Sequence, residues 1–161
     1  MKLIINGPVK PYYIQMLAML FYPGEKFPEE NDANLEVRIA EVNVESINDG
    51  VRSHVKITDG ELSSEGVVFL PFDGTDSEKL VNFSAGGAFL DACTKLTGYI
   101  PPWGMLTGVR PARLAADLLE SGMTAEEAKK YFTEVYRTNK SKAHLLHSRC
   151  ALNDIILNNP L

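Results

Sequence analysis

Arg110 and Arg113 are the side chains of this sequence best suited to grip an anion. They lie in the run Trp103-Gly104-Met105-Leu106-Thr107-Gly108-Val109-Arg110-Pro111-Ala112-Arg113-Leu114. Pro111 disfavours helical geometry at the residue before it, so Arg110 is expected outside a helix that starts at Pro111. Arg113 is expected to project from that helix's first turn. Free backbone N–H groups and the positive end of the helix dipole would favour a carboxylate or phosphate there. Thr107 adds a hydroxyl and Gly108 a flexible backbone point. Arginine has the wrong sign for a helix start, and a partner carboxylate would offset that. The chemistry is that of binding or docking rather than catalysis.

Other reactive groups do not converge in the sequence. Ser84-Ala85-Gly86-Gly87-Ala88 has the look of a nucleotide loop, but it falls inside a predicted helix instead of at a strand–helix junction. Close helix packing is the simpler reason for its small residues. His144 and His147 are three apart on one predicted helix, a spacing that can seat a metal, yet no Cys, Asp or Glu stands close by and Lys142 and Arg149 oppose a cation. His54 points outward from a strand. Cys93 and Cys150 are single and distant, so a core thiol is the expectation for each. Asp49, Asp59 and Asp73 stand beside or within turn sequences that explain them. No ordering of Ser, His, Asp or Cys gives a defensible nucleophile. The site expectations are therefore no catalytic, cofactor-binding or metal-binding residue, and an interface motif of Trp103, Gly104, Leu106, Thr107, Gly108, Arg110, Pro111 and Arg113. Trp103 is expected to seal the seam between two halves, with Met105 and Leu106 extending the seal.

The elements that must position this motif follow from periodicity. Residues 2–6 read as a strand and Pro11–Phe21 as a helix with Ile14, Leu17, Ala18 and Phe21 on one face. Leu35, Val37 and Ile39 alternate, then the phase slips to Val42 and Val44, which predicts a bulge near Ala40-Glu41. Asn48-Asp49-Gly50 and Asp59-Gly60 predict turns, with Val51, Val55 and Ile57 on a strand between them and a short apolar strand at 67–70. Thr75-Asp76-Ser77-Glu78 predicts a capped helix to about Leu96, buried through Val81, Ala85, Ala88, Phe89, Ala92 and Leu96. Three short helices follow: 111–120, one from the Thr124-Ala125-Glu126-Glu127 capping box to about Arg137, and one capped by Ser141 to about Leu157. Leu145, Leu152, Ile155 and Ile156 are expected along the seam of the last. The class is α+β: a small antiparallel sheet of about four strands covered by two helices, then a three-helix subdomain. The divisions are residues 1–98, a linker and docking loop at 99–110, and 111–161.

Composition supports a folded chain: 45% of 161 residues are apolar. The net charge of −5 argues against nucleic acid as a partner. Residues 1–109 hold 8 basic against 15 acidic side chains, whereas 110–161 hold 8 against 6; a normally solvated helical surface is the simpler reading of the second half, and a face toward an acidic partner the alternative. The N-terminus lacks a long apolar stretch, and a cytoplasmic, non-membrane protein is expected.

The run from Trp103 to Pro111, with Arg113-Leu114 after it, resembles a segment of the Gram-positive type of oxygen-independent coproporphyrinogen III oxidases (coproporphyrinogen dehydrogenases). Leu20-Phe21-Tyr22, Ser121-Gly122-Met123-Thr124 and the Glu126-Glu127 helix extend the resemblance, which is most specific over 99–125. It implies the part ahead of that family's radical S-adenosylmethionine barrel, ending short of the Cys-x3-Cys-x2-Cys motif that binds a 4Fe–4S cluster. For the parent protein it implies S-adenosylmethionine, the cluster, and oxidative decarboxylation of coproporphyrinogen III to protoporphyrinogen IX in heme biosynthesis. For this chain it implies a non-catalytic accessory domain with no cofactor of its own. Its partner would be the barrel, with a tetrapyrrole substrate near the interface. A heme-handling relative without oxidase activity, an independent protein-interaction module, and a small-molecule or RNA-binding domain are the alternatives.

Overall fold

The computed structural model describes residues 1–28, 38–108 and 110–146. The sequence readings at Leu35, Val37, Val109, His147, Cys150, Leu152, Ile155 and Ile156 lie outside the described residues. The elements are β1 (Lys2–Asn6), α1 (Pro11–Phe21), β2 (Ile39–Ile47), β3 (Gly50–Asp59), β4 (Leu62–Pro71), α2 (Ser77–Thr97), α3 (Pro111–Glu120) and α4 (Ala125–Glu134). A fifth helix, α5, starts at 140 and is described through 146. The class is α+β, as the sequence predicts. The chain divides into two compact units, Met1–Ile100 and Pro101–Leu161.

The first unit is a four-stranded sheet in the order β1-β2-β3-β4. Strands β2, β3 and β4 form the expected antiparallel meander, but β1 pairs with β2 in parallel, so the sheet is mixed rather than antiparallel. The cause is α1. A helix between two adjacent strands returns the chain to the same end of the sheet, and the next strand then runs parallel to the first. The predicted bulge near Ala40-Glu41 is absent, since the β2–β3 register advances one residue for one from Ile39↔Thr58 to Ile47↔Gly50. Ala40, Val42 and Val44 are buried while Ile39 shares the opposite face, which removes the apparent phase slip within β2. Strand β4 is longer than the predicted 67–70 and alternates: Val67 is 59% exposed and Gly66 is buried.

One face of the sheet carries Ala40, Val42, Val44, Val51, Val55 and Ile57, all buried. Helix α2 crosses this face over β3 and β4 and reaches β2, with α1 beside it. Its buried stripe includes the predicted Val81, Ala85, Ala88, Phe89 and Ala92, whereas Leu96, expected on it, is only half-buried. Each large aliphatic or aromatic side chain so buried contributes about 1.5–3 kcal/mol. The helix start differs from the capping-box reading. Asp76, not Thr75, is the N-cap, its carboxylate accepting from the backbone N–H groups of Glu78 and Lys79. Gly98, left-handed at φ 72°, closes the helix.

The small residues of α2 permit a close approach to the sheet. A Cβ on Gly66 of β4 would overlap the Ala88 carbonyl oxygen and lie 2.9 Å from the Ala92 nitrogen. Nearby, the hydroxyl of Ser84 lies 2.8 Å from Ser53 Oγ and 3.2 Å from the Val68 carbonyl oxygen, and both serines are fully buried. The other sheet face is mixed: Ile4, Val67 and Phe69 stand exposed on it among charged and polar side chains. Cross-strand register sets Glu41 beside Lys56, Lys56 beside Glu65 and Glu45 beside Arg52. Asn6 Nδ2 donates to Asn43 Oδ1 at 2.8 Å, and His54 Nε2 lies 3.1 Å from Glu65 Oε2. Opposite charges across strands suit a solvated face.

A charge cluster closes one end of this unit. The Met1 amine donates to Glu25 Oε1 and to the Lys26 carbonyl, each at 2.6 Å. Arg38 Nη1 reaches Glu25 Oε2 at 2.6 Å and its Nε reaches Asp59 Oδ2 at 2.7 Å. The guanidinium stacks on the Tyr22 ring, 4.3 Å from its centroid. Burial pushes the Glu25 carboxyl upward, but hydrogen bonds from the Met1 amine and Arg38, with their charges, outweigh it and hold the group below its ordinary range.

In the second unit, Leu106, Ala115, Phe132, Ala143 and Leu146 form the core, with Trp103, Leu114, Leu118 and Tyr136 packed on it. Thr124 and Glu127 make the predicted reciprocal capping box of α4. The helix ends at Glu134 rather than near Arg137, which is left-handed at φ 56°. Helix α5 is capped by Asn139, not Ser141: its Oδ1 accepts from the Lys142 N–H at 2.9 Å. Leu145 is 56% exposed while Ala143 and Leu146 are buried, so these two and not Leu145 mark the inward face.

Two outcomes follow for the first unit. Gly66→Ala is expected to lower unfolding free energy by about 1–3 kcal/mol, read by chemical denaturation, because the added methyl forces helix and sheet apart. Glu25 has its folded pKa depressed, so its contribution is present above the unfolded carboxylate pKa and is lost as pH falls through the folded one. Glu25→Gln should therefore lower stability at neutral pH and flatten its decline in acid, measured as Tm against pH.

Candidate functional site

The Trp103–Leu114 run divides into a buried part and an exposed part. Pro102 stands at the second position of a turn, where its fixed φ is favoured. Gly104 donates to the Pro101 carbonyl at 3.0 Å and Leu106 to that of Trp103 at 3.1 Å, so the chain coils tightly. This coil is tied to the α4–α5 turn. Met105 N–H donates to the Tyr136 carbonyl at 2.8 Å, and Asn139 N–H donates to the Pro102 carbonyl at 3.0 Å. Gly104 is left-handed at φ 55°, and a Cβ there would overlap the Tyr136 carbonyl oxygen. The Lys142 ammonium lies 5.5 Å from the centroid of the half-buried Trp103 ring. Trp103, Gly104, Met105 and Leu106 are thus assembled within the helical unit, against Phe132 and its neighbours.

The exposed part begins at Thr107. Gly108 is left-handed at φ 67° with open space where a side chain would stand. Arg110 is extended (φ −76°, ψ 114°) as the residue before α3, as Pro111 requires. Its carbonyl accepts from the Arg113 and Leu114 N–H groups, but its side chain caps nothing and makes no ion pair among the described residues. Arg113 Nε pairs with Asp117 Oδ1 at 2.9 Å, one helical turn on, and Arg113 is 72% exposed. The first turn of α3 contains no acidic residue. Two guanidiniums and a helix N-terminus therefore present positive charge to solvent at one corner.

The remaining sequence candidates stay dispersed. Ser84 and Ala85 to Ala88 are buried in α2, where close packing accounts for them. His54 faces Glu65 on the outer sheet face, and His144 is exposed on α5. Cys93 is fully buried, and burial pushes its thiol up to about 12. No group of three His, Cys, Asp or Glu gathers among the described residues. An iron–sulfur cluster needs converging thiolates, so the described residues do not fit one and no step is derived through it. The depression lined by Met123, Lys130, Tyr131 and Glu134 is open to solvent rather than an enclosed pocket. No described helix is long and apolar enough to cross a membrane. Sequence reasoning missed Gly66 and the Tyr136–Asn139 turn. The glycine in an otherwise alternating strand was the available signal for the first.

No family model matches the chain. One curated relative does. It is the oxygen-independent coproporphyrinogen-III oxidase-like protein HemZ of Bacillus subtilis, 31% identical over 100 residues, which is 58% of this chain. The match covers 20% of that protein, so the chain spans about a fifth of the relative's length. The similarity supports a relationship to the coproporphyrinogen oxidase-like proteins over part of the chain.

The two parts of the motif should separate in mutants. Gly104→Ala is expected to destabilise the helical unit by about 1–3 kcal/mol, since a left-handed backbone and a blocked Cβ position both oppose it. Arg110→Ala should leave stability within about 0.5 kcal/mol, because the side chain is exposed and makes no cap bond or ion pair among the described residues. Chemical denaturation followed by Trp103 fluorescence reads both.

Proposed function

We propose that this chain is a non-catalytic accessory domain of a coproporphyrinogen oxidase-like protein, docking through its Arg110/Arg113 corner onto a larger catalytic body. The observation that carries the reading is the 31% identity over 100 residues to the Bacillus subtilis oxidase-like protein. The motif adds physical support. Folding accounts for Trp103 to Leu106, whereas Arg110 makes no ion pair among the described residues and stands exposed. An outward arginine at an uncapped, acid-free helix start is electrostatically unfavourable alone and favourable against a carboxylate. The catalytic body is proposed to carry the radical S-adenosylmethionine chemistry and its iron–sulfur cluster. The contribution of this domain is steric and electrostatic: it covers part of that body and sets charge beside it. The carboxylates met by Arg110 and Arg113 are proposed to belong to that body, with a propionate of the substrate as the more distant possibility.

Titration of the 161-residue chain into the Bacillus subtilis relative from which the matched segment has been removed tests this. Saturable binding is expected, weakened by salt and by the Arg110→Ala/Arg113→Ala pair without loss of fold. No association at micromolar concentrations, or oxidation of coproporphyrinogen by this chain alone, would overturn it.

A further inference from the structure

Strand β4 is an edge of the sheet, and its register shows which backbone groups face outward. The order β1-β2-β3-β4 leaves two edges among the described residues. The β1 edge is 5 residues long, whereas β4 runs for 10 and pairs with β3 residue for residue, without a bulge. The Phe72 N–H donates to the Asp49 carbonyl at 3.0 Å, in step with the register from Gly50↔Pro71 to Asp59↔Leu62. Antiparallel partners exchange hydrogen bonds at every second pair, so the even-numbered residues of β4 bond to β3. Ser63, Glu65, Val67 and Phe69 therefore turn their N–H and C=O groups to the free edge. The Val67 and Phe69 side chains are exposed as well. A long, regular, partly apolar edge of this kind is a template for a strand from a second copy.

One carbonyl of that edge is occupied. Lys95, in the last turn of α2, donates from Nζ to the Glu65 carbonyl oxygen at 2.7 Å. Packing sets its reach. Ser64 Oγ donates to the Ala92 carbonyl at 2.6 Å, and the α2 backbone at Ala88 and Ala92 lies directly against Gly66. An ammonium has three donors and no acceptor, so it cannot continue a ladder. A strand arriving at Glu65 meets an engaged acceptor and a cation in its path. Six residues on, Pro71 has no N–H to offer and closes the other end of the strand. We propose that Lys95 and Pro71 are edge guards, which keep β4 from adding a strand of a second copy of this chain. Between them, Val67 and Phe69 are the residues that face the edge, and they are where pairing would start once Lys95 is gone.

The 161-residue chain, Lys95→Ala, Lys95→Arg and Lys95→Ala/Val67→Lys are compared by sedimentation velocity over a range of concentrations. Lys95 is exposed, so its truncation spares the core. Lys95→Ala is expected to show a roughly twofold or larger gain in mass where the wild-type chain and Lys95→Arg, which still donates, show none. Val67→Lys sets like charges together across any β4–β4 pairing and is expected to abolish that gain. A second readout needs no variant to fold. In the wild-type chain, amide exchange is expected to be fast at Val67 and Phe69 and slow at Val68, whose N–H is turned to β3. No gain in mass for Lys95→Ala, an equal gain for Lys95→Arg, or a gain that Val67→Lys leaves in place would each overturn the proposal. So would protected Val67 and Phe69 amides in the wild-type chain, or wild-type association that Val67→Lys dissolves.

Discussion

The close approach of α2 to the sheet is the constraint on which the first unit depends. At Gly66 the helix backbone of Ala88 and Ala92 occupies the space a side chain would need. An ordinary helix-on-sheet contact separates the backbones by two layers of side chains, and here one layer is missing. That geometry selects Ser84, Ala85, Gly86, Gly87, Ala88 and Ala92 along the helix, because larger residues would lift it away. The two glycines cost helix propensity, so tertiary packing, not local preference, must hold α2 over its 21 residues. The Ser53–Ser84 contact fits the same account. Two hydroxyls can be fully buried only where each finds a partner, and they satisfy one another beside the Val68 carbonyl.

A similar logic governs the helical unit at a smaller scale. Its helices are 10 residues each where both ends are described, too short to persist alone. What joins them is the backbone pairing of the Pro101–Leu106 coil with the α4–α5 turn, sealed by Trp103 and Phe132. Gly104 is the one position in that coil where a left-handed backbone and a touching carbonyl coincide. The conspicuous motif is therefore largely architectural, and its binding potential is confined to the last few residues.

The sequence made element types legible and their partners less so. Helices α1 and α3 were readable to the residue, because Pro11 and Pro111 each mark a first turn. The meander was readable from Asn48-Asp49-Gly50 and Asp59-Gly60. The parallel β1–β2 pairing was hidden because alternation reports which face a strand shows, not which neighbour it takes. The apparent bulge came from letting Leu35, Val37 and Ile39 set the phase for β2, whereas Ala40 was the true inward residue. The sequence reading placed the α5 cap at Ser141, two residues past the observed Asn139, and put Leu145 on the seam, where Ala143 and Leu146 stand instead. At the site, the extended Arg110 and the projecting Arg113 followed from Pro111 alone. The pairing of Met105 with Tyr136 joins residues 31 positions apart, and no local pattern announces it.

The contrast between Arg38 and Arg110 separates structural from available charge. Arg38 spends its Nη1 and Nε on Glu25 and Asp59 and its flat face on Tyr22, so its main recognition surfaces are used internally. Its pKa is held above the usual arginine value, chiefly by the hydrogen bond to Asp59. Arg110 stands at a proline-fixed corner with its backbone carbonyl engaged in starting α3 and its side chain making no ion pair among the described residues. A fold can retain the first arginine for stability alone. The second makes no such internal contact among the described residues, and its position is set by residues that the fold itself requires: Pro111 behind it and the Gly104 coil before it.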